Sequence, residues 1–297
     1  MNLAPSPSSS RTALALTLLC AACAPSPAAT DALDADARSS AVDANANANV
    51  DASASMPDRA PTLDDAAVTD AHTPATDAPD APACAARAVP CADESAMRLR
   101  YLTVVNASAI TNEPLAGGEF RSIIDARAGG AAVTQSYVYA RFTSDGLRKL
   151  ELTDEDALRS TEWDIALRRF VIRLNSGVSG PSCVLGARAS SADWASVTAV
   201  ADLALGEERY FDGTCQFVDD RSGINGPATI LAPYWTYAGC LQMSHAIFVA
   251  RLRDGRAVKL TVESYYDPDK QRECDETGMV STPNNAAVLR LRWSFLR

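Results

Sequence analysis

Histidine is nearly absent from this chain: its 297 residues include two, His72 and His245. A catalytic or metal centre built on several histidines is therefore excluded. Apolar runs of membrane-spanning length are also missing. The leader run Ala13-Leu14-Ala15-Leu16-Thr17-Leu18-Leu19 falls short of the roughly 18 residues that a spanning helix needs. Around Gly177-Val178-Ser179-Gly180 the Gly-x-Ser-x-Gly arrangement of a nucleophile elbow does not form, so the chain is read as a non-enzyme. No phosphate-cradling glycine loop and no basic patch interleaved with aromatics points to nucleotide or nucleic acid.

What is present begins with an address. Arg11 precedes the short apolar run, which ends in Cys20-Ala21-Ala22-Cys23. Two small residues before Cys23 fit a bacterial lipoprotein processing site, where that cysteine takes the lipids and becomes the mature N-terminus. Cys20 stands where such sites usually carry Leu. Residues 1–23 thus read as a lipoprotein-type signal, with an exported product anchored by lipid at the outer membrane or cell surface.

Residues 24–83 are almost entirely Ala, Asp, Pro, Ser, Thr and Asn, without an aromatic. They cannot bury enough surface to offset their ordering entropy and are expected to form a disordered linker. They hold eleven Asp against two Arg, whereas residues 84–297 hold 26 acidic and 24 basic residues. The acidity belongs to the linker and gives no reason to expect nucleic-acid or acidic-substrate chemistry in the folded part. His72 falls in the linker, which leaves His245 as the one histidine of residues 84–297.

Residues 84–297 form the expected folded domain. Its six cysteines, Cys84, Cys91, Cys183, Cys215, Cys240 and Cys274, read in an exported chain as up to three disulfides, with about fifteen full pairings open. Cys84 and Cys91 are near enough in sequence to close a short loop. A zinc site is weakly supported, because no Cys-x-x-Cys pair occurs here.

Two stretches alternate as half-buried strands: Met97, Leu99, Tyr101, Thr103 and Val105, with Met97 in the core, and Ala287, Leu289, Leu291, Trp293 and Phe295. The intervening Arg98, Arg100, Arg290 and Arg292 read as solvated faces. In residues 163–177, Trp163, Ile165 and Leu167 share one parity and Phe170, Ile172 and Leu174 the other. Two strand segments must therefore meet at a bulge or bend around Arg168 and Arg169.

A partial repeat adds two hairpins. Ala140-Arg141-Phe142, Asp145-Gly146 and Lys149-Leu150 match Ala250-Arg251-Leu252, Asp254-Gly255 and Lys259-Leu260. Helix is scarce: a short turn capped by Thr153, and an Ala-rich candidate over residues 191–205. The fold class expected is all-β, a predominantly antiparallel β-sandwich-like domain with hairpins.

The lipoprotein-like leader, Trp163-Asp164-Ile165-Ala166 with its Arg-aromatic continuation to Asn175-Ser176-Gly177, and the Phe248-to-Tyr266 stretch with its Asp254-Gly255 turn and Tyr265-Tyr266 pair resemble the HmuY-like family. The resemblance covers most of residues 97–297. It implies an exported haem-binding lipoprotein that takes haem from a host or environmental haemoprotein and passes it to an outer-membrane transporter. It also implies two axial side chains on the iron, histidines in some members and methionines in some relatives.

One histidine excludes a bis-histidine site within one copy, leaving His/Met or Met/Met pairs. His245 is the candidate metal ligand, Met279 the preferred second ligand, and Met243 and Met97 further candidates, Met97 reading first as core; Met243 and His245 share a strand face if that stretch is extended. Tyr234, Trp235, Tyr237, Tyr265 and Tyr266 read as packing before cofactor lining. Asp267, Asp269 and Glu273 form only a weak calcium pattern. The alternative function is a haem-independent cell-surface domain that binds protein or polysaccharide.

Overall fold

The computed structural model describes residues 84–297 apart from Ala131, Asp202 and Arg297. The signal segment, the linker and Cys23 lie outside the described residues. In chain order the elements are α1 (Ala92–Arg98), β1 (Ile110–Pro114), β2 (Phe120–Asp125), β3 (Val138–Thr143), β4 (Gly146–Leu150), α2 (Asp154–Ala157), β5 (Ile165–Arg168) and β6 (Val171–Leu174). They continue with β7 (Leu185–Arg188), β8 (Trp235–Tyr237), β9 (Leu241–Met243), β10 (Phe248–Arg251), β11 (Ala257–Ser264), α3 (Pro268–Thr277) and β12 (Val288–Phe295).

Every strand pairing is antiparallel. One sheet runs β1-β2-β12-β11-β10-β7, a second β4-β3-β5-β6, and β8-β9 forms a small hairpin. The main core takes Ile124, Val258, Leu260, Leu289, Leu291 and Trp293 from the first sheet and Val138, Phe142, Ile165, Leu167 and Ile172 from the second. The two sheets therefore pack as a sandwich, each such side chain contributing about 1.5–3 kcal/mol by burial. At their edge Asn112 of β1 fastens to β4 by accepting from Leu147 N at 2.9 Å and donating to Leu147 O at 3.1 Å.

The parity slip in residues 163–177 is a chain reversal. Ile165 pairs with Leu174 and Leu167 with Ile172, so Arg169 and Phe170 form a two-residue hairpin turn. Paired residues in such a hairpin differ in parity, which puts Ile165, Leu167, Ile172 and Leu174 on one face, while Trp163 packs on the other side. Arg169 has φ 52°, the left-handed backbone that a tight hairpin needs. Both Asp-Gly hairpins form as expected, β3–β4 in one sheet and β10–β11 in the other. Strand β12 buries Leu289, Leu291 and Trp293, while Arg290 and Arg292 are half-buried.

Three expectations are corrected. Residues 92–98 are helical, with Met97 77% exposed, and the following stretch is irregular; Leu99 instead packs with Tyr210 and Phe211. Residues 191–205 hold one 3-10 turn, Trp194–Ser196. Trp194 acts there as a latch, its Nε1 donating to Glu119 at 2.7 Å while Lys259 and Arg292 lie over its ring. The disulfides are Cys84–Cys183, Cys91–Cys215 and Cys240–Cys274, so Cys84 and Cys91 do not join each other. They tie distant segments to the sandwich, where closing a long loop restricts the unfolded chain more.

Candidate functional site

Met243 ends β9 and His245 follows it, while Met279 follows α3, which packs on β9. Cys240–Cys274 joins these elements covalently. Gln271, 3% exposed on α3, donates to Leu241 O at 2.9 Å and accepts from Tyr265 N at 2.8 Å. Met243 N donates to Asp275 Oδ1 at 2.8 Å. Pro268 opens the helix at its first turn and Gly278, at φ 71°, ends it in the left-handed conformation.

The candidates differ in setting. Met243 ends β9 with its side chain buried in the main core. His245 is exposed two residues on, with φ 53°, so the chain has left the extended path that would have put both on one face. Met279, 69% exposed, follows Gly278. A Cβ on Gly239 would stand 2.4 Å from Gly278 O, which sets Met279 beside the β8–β9 turn, whereas His245 follows the opposite end of β9. Two axial ligand atoms must lie about 4 Å apart across a porphyrin. Strand residues advance about 3.3 Å each, and His245 and Met279 lie toward opposite ends of β9.

The aromatics pack. Tyr234 donates its hydroxyl to Phe170 O at 3.0 Å, and Trp235 meets Phe170 at 5.6 Å between ring centroids. Tyr266 Oη accepts from Leu241 N at 3.2 Å. Tyr265 stands edge-on to Tyr266, and burial pushes its phenol up to about 12. Tyr237 is exposed. The weak calcium pattern folds as helix α3: Asp269 bonds Arg272, and Glu273 bonds Lys270 and Ser281. Among the described residues no group of three or more His, Cys, Asp or Glu is placed to hold a metal.

Sequence patterning did not reveal the buried charges. Arg173, 1% exposed on β6, donates to Tyr101 Oη at 2.8 Å, Tyr139 Oη at 2.7 Å and Ser179 O at 3.0 Å. Its guanidinium and that of Arg168 lie 4.2 and 4.0 Å from the Tyr137 ring centroid. Arg168 pairs with buried Asp154 at 3.1 Å. Glu208, fully buried, accepts Leu174 N and Ile230 N, each at 2.9 Å, one on each carboxylate oxygen. Burial pushes its carboxyl up to about 7 against the pull of those amides and of Arg173. Asp164 accepts from Phe142 N and is raised by burial to about 6. A signal for the arginines was available: Arg173 stands at the same parity as Ile165 and Leu167 but across the hairpin turn, which puts it on the opposite face from them, among tyrosines and Trp163.

Five surface cavities of about 190 to 590 Å3 have no histidine or methionine in their walls. The roomiest lies between α3 and the strands of the larger sheet. Among the described residues no helix is long and apolar enough to cross a membrane.

This antiparallel sandwich belongs to a class with a recognisable sequence profile: the family model of the HmuY protein matches residues 105–278. The chain is a member of the HmuY family. No curated protein matches it. Among solved structures it is similar to a protein from Bacteroides vulgatus described as HmuY-like and haem-binding, at 13% identity over 66% of this chain and 99% of that one, TM-score 0.39. It is also similar to the apo HmuY analogue of Tannerella forsythia, at 14% identity over 65% and 98%, TM-score 0.34.

Proposed function

We propose that this chain is an exported ligand-binding protein, anchored by lipid at Cys23, spaced from the outer membrane or cell surface by residues 24–83, and carrying a HmuY-family domain over 84–297. The family match over residues 105–278 carries this reading. Haem is the ligand that membership makes first to test, with a haemoprotein as donor and an outer-membrane transporter as recipient. His245, Met279 and Met97 are exposed side chains with iron-ligating chemistry, and Met243 would have to leave the core to join any of them. With His245 and Met279 toward opposite ends of β9, we read one chain as supplying haem a single axial side chain.

A second reading, haem-independent binding of a protein or polysaccharide, is favoured by one observation: the five cavities are walled without histidine or methionine. Titration of the full chain with haemin separates the two. A saturable one-to-one complex with a sharp Soret shift, altered by His245→Ala or Met279→Ala, is the result expected for haem. No saturable complex would leave the second reading. Loss of fatty-acid labelling in Cys23→Ala tests the anchor, and persistent labelling would refute this lipid site.

A further inference from the structure

The groove between α3 and the larger sheet, of about 590 Å3, is the size of a small-molecule site. Its walls are charged, and most of those charges already have partners. Arg121 pairs with Glu263 at 2.6 Å and Glu113 at 3.3 Å, Arg272 pairs with Asp269, and Asp275 Oδ1 accepts from Met243 N and Gln271 Nε2. Two wall groups are different. Arg290 makes one long hydrogen bond, from Nη1 to Tyr266 O at 3.5 Å, so most of its guanidinium donors have no acceptor among the described residues. Glu276 makes no hydrogen bond or ion pair among them.

The strand beneath is shaped for this. Val262 pairs with Leu291 and Ser264 with Arg290, which makes Glu263 the extra residue of a β-bulge. Bulges re-aim side chains and recur beside binding sites. Ser264, 3% exposed, lines the groove, and its Oγ has no hydrogen-bond partner. An unsatisfied buried hydroxyl costs about 1–3 kcal/mol, and a rotation of the side chain toward a ligand acceptor in the groove would relieve that cost.

We propose that this groove binds a short zwitterionic peptide, with its terminal carboxylate on Arg290 beside Ser264 and its ammonium on Glu276. One unspent cation and one unspent anion in a cleft of this volume match a ligand carrying both charges. A plain anion would meet four carboxylates, those of Glu113, Glu263, Asp275 and Glu276, in the same walls. A planar guanidinium suits a carboxylate because it can donate two parallel bonds. Neither His245 nor Met279 lines the groove, so the site stands or falls separately from haem binding.

Calorimetric titration of the full chain with triglycine tests the proposal. Saturable binding is expected, weakened about tenfold or more by Arg290→Gln and by C-terminal amidation, and similarly by Glu276→Gln and by N-acetylation. Inorganic phosphate is expected to bind far more weakly than triglycine. Exposed Glu276 and the two capped peptides keep the test decisive if Arg290→Gln fails to fold. No saturation at millimolar triglycine, equal binding of the capped peptides, or equal binding of phosphate would overturn it.

Discussion

Arg173 donates through Nη2 to Tyr139 Oη at 2.7 Å, and the same hydroxyl donates to Asp154 Oδ1 at 2.8 Å. A tyrosine thus connects a buried guanidinium without a carboxylate partner to the buried Arg168–Asp154 pair. Cation–π contact with Tyr137, at 4.2 Å, and with Trp163, at 5.5 Å, replaces part of the hydration that Arg173 loses. This cluster fills the side of β5 and β6 that faces away from the main core.

Arg173→Ala is therefore expected to destabilise the fold by about 2–5 kcal/mol, from the cavity it leaves and the buried hydroxyls and carbonyl that lose their donor. Arg173→Met should cost less, because it fills the cage without a charge to desolvate. Denaturant midpoints measure both; a loss below about 1 kcal/mol for Arg173→Ala would contradict the assigned role.

Glu208 gives stability a sign with pH. Its carboxyl is raised by burial from its ordinary 4.5 to about 7, so the folded chain holds that proton more tightly than the unfolded chain. The stabilisation is fully present below the unfolded value and is lost as pH rises through about 7. Wild type should lose about 3 kcal/mol relative to Glu208→Gln between the two limits. Paired guanidinium unfolding series across that window provide the check, and a constant difference between the two proteins would contradict it.

The three cross-links should be legible by mapping unreduced peptides. Cys84–Cys183, Cys91–Cys215 and Cys240–Cys274 are expected. Replacing Cys240 and Cys274 together with serine should cost about 3–4 kcal/mol, from loop closure over their separation of 34 residues. A Cys84–Cys91 peptide would refute the pairing.

Gly177→Ala tests the turn that ends the β5–β6 unit. Gly177 has φ 54°, and a Cβ there would lie 2.3 Å from Glu208 O, a backbone atom. A loss of about 1–3 kcal/mol is expected from the strained backbone alone, and an unchanged thermal midpoint would show that this approach is looser than described.

The outcome for particular residues shows what the sequence could convey. Alternation located β12, β5 and β6, because each has one face in a core and side-chain period fixes that face. The hairpin at Arg169 and Phe170 read as a bend, since a parity slip does not distinguish a bulge from a reversal. Residues 97–105 alternated equally well, yet Met97 is exposed on a helix. Tertiary ties there, Cys91–Cys215 and Leu99 against Tyr210, are invisible to local pattern. Helix α3 did carry a signal, Pro268 at its start and Gly278 at its end, obscured by the acidic residues between them. His245, Met243 and Met279 were identifiable as ligand chemistry, but their relation depends on where β9 ends and α3 stops, which spacing does not encode.

The reduced and oxidised spectra of a one-to-one haemin complex of the full chain test the functional account most directly. The account predicts a complex held by one protein side chain, its spectrum changed by His245→Ala or by Met279→Ala but not by both. A six-coordinate, low-spin complex requiring both residues would contradict the separation of His245 and Met279 across β9.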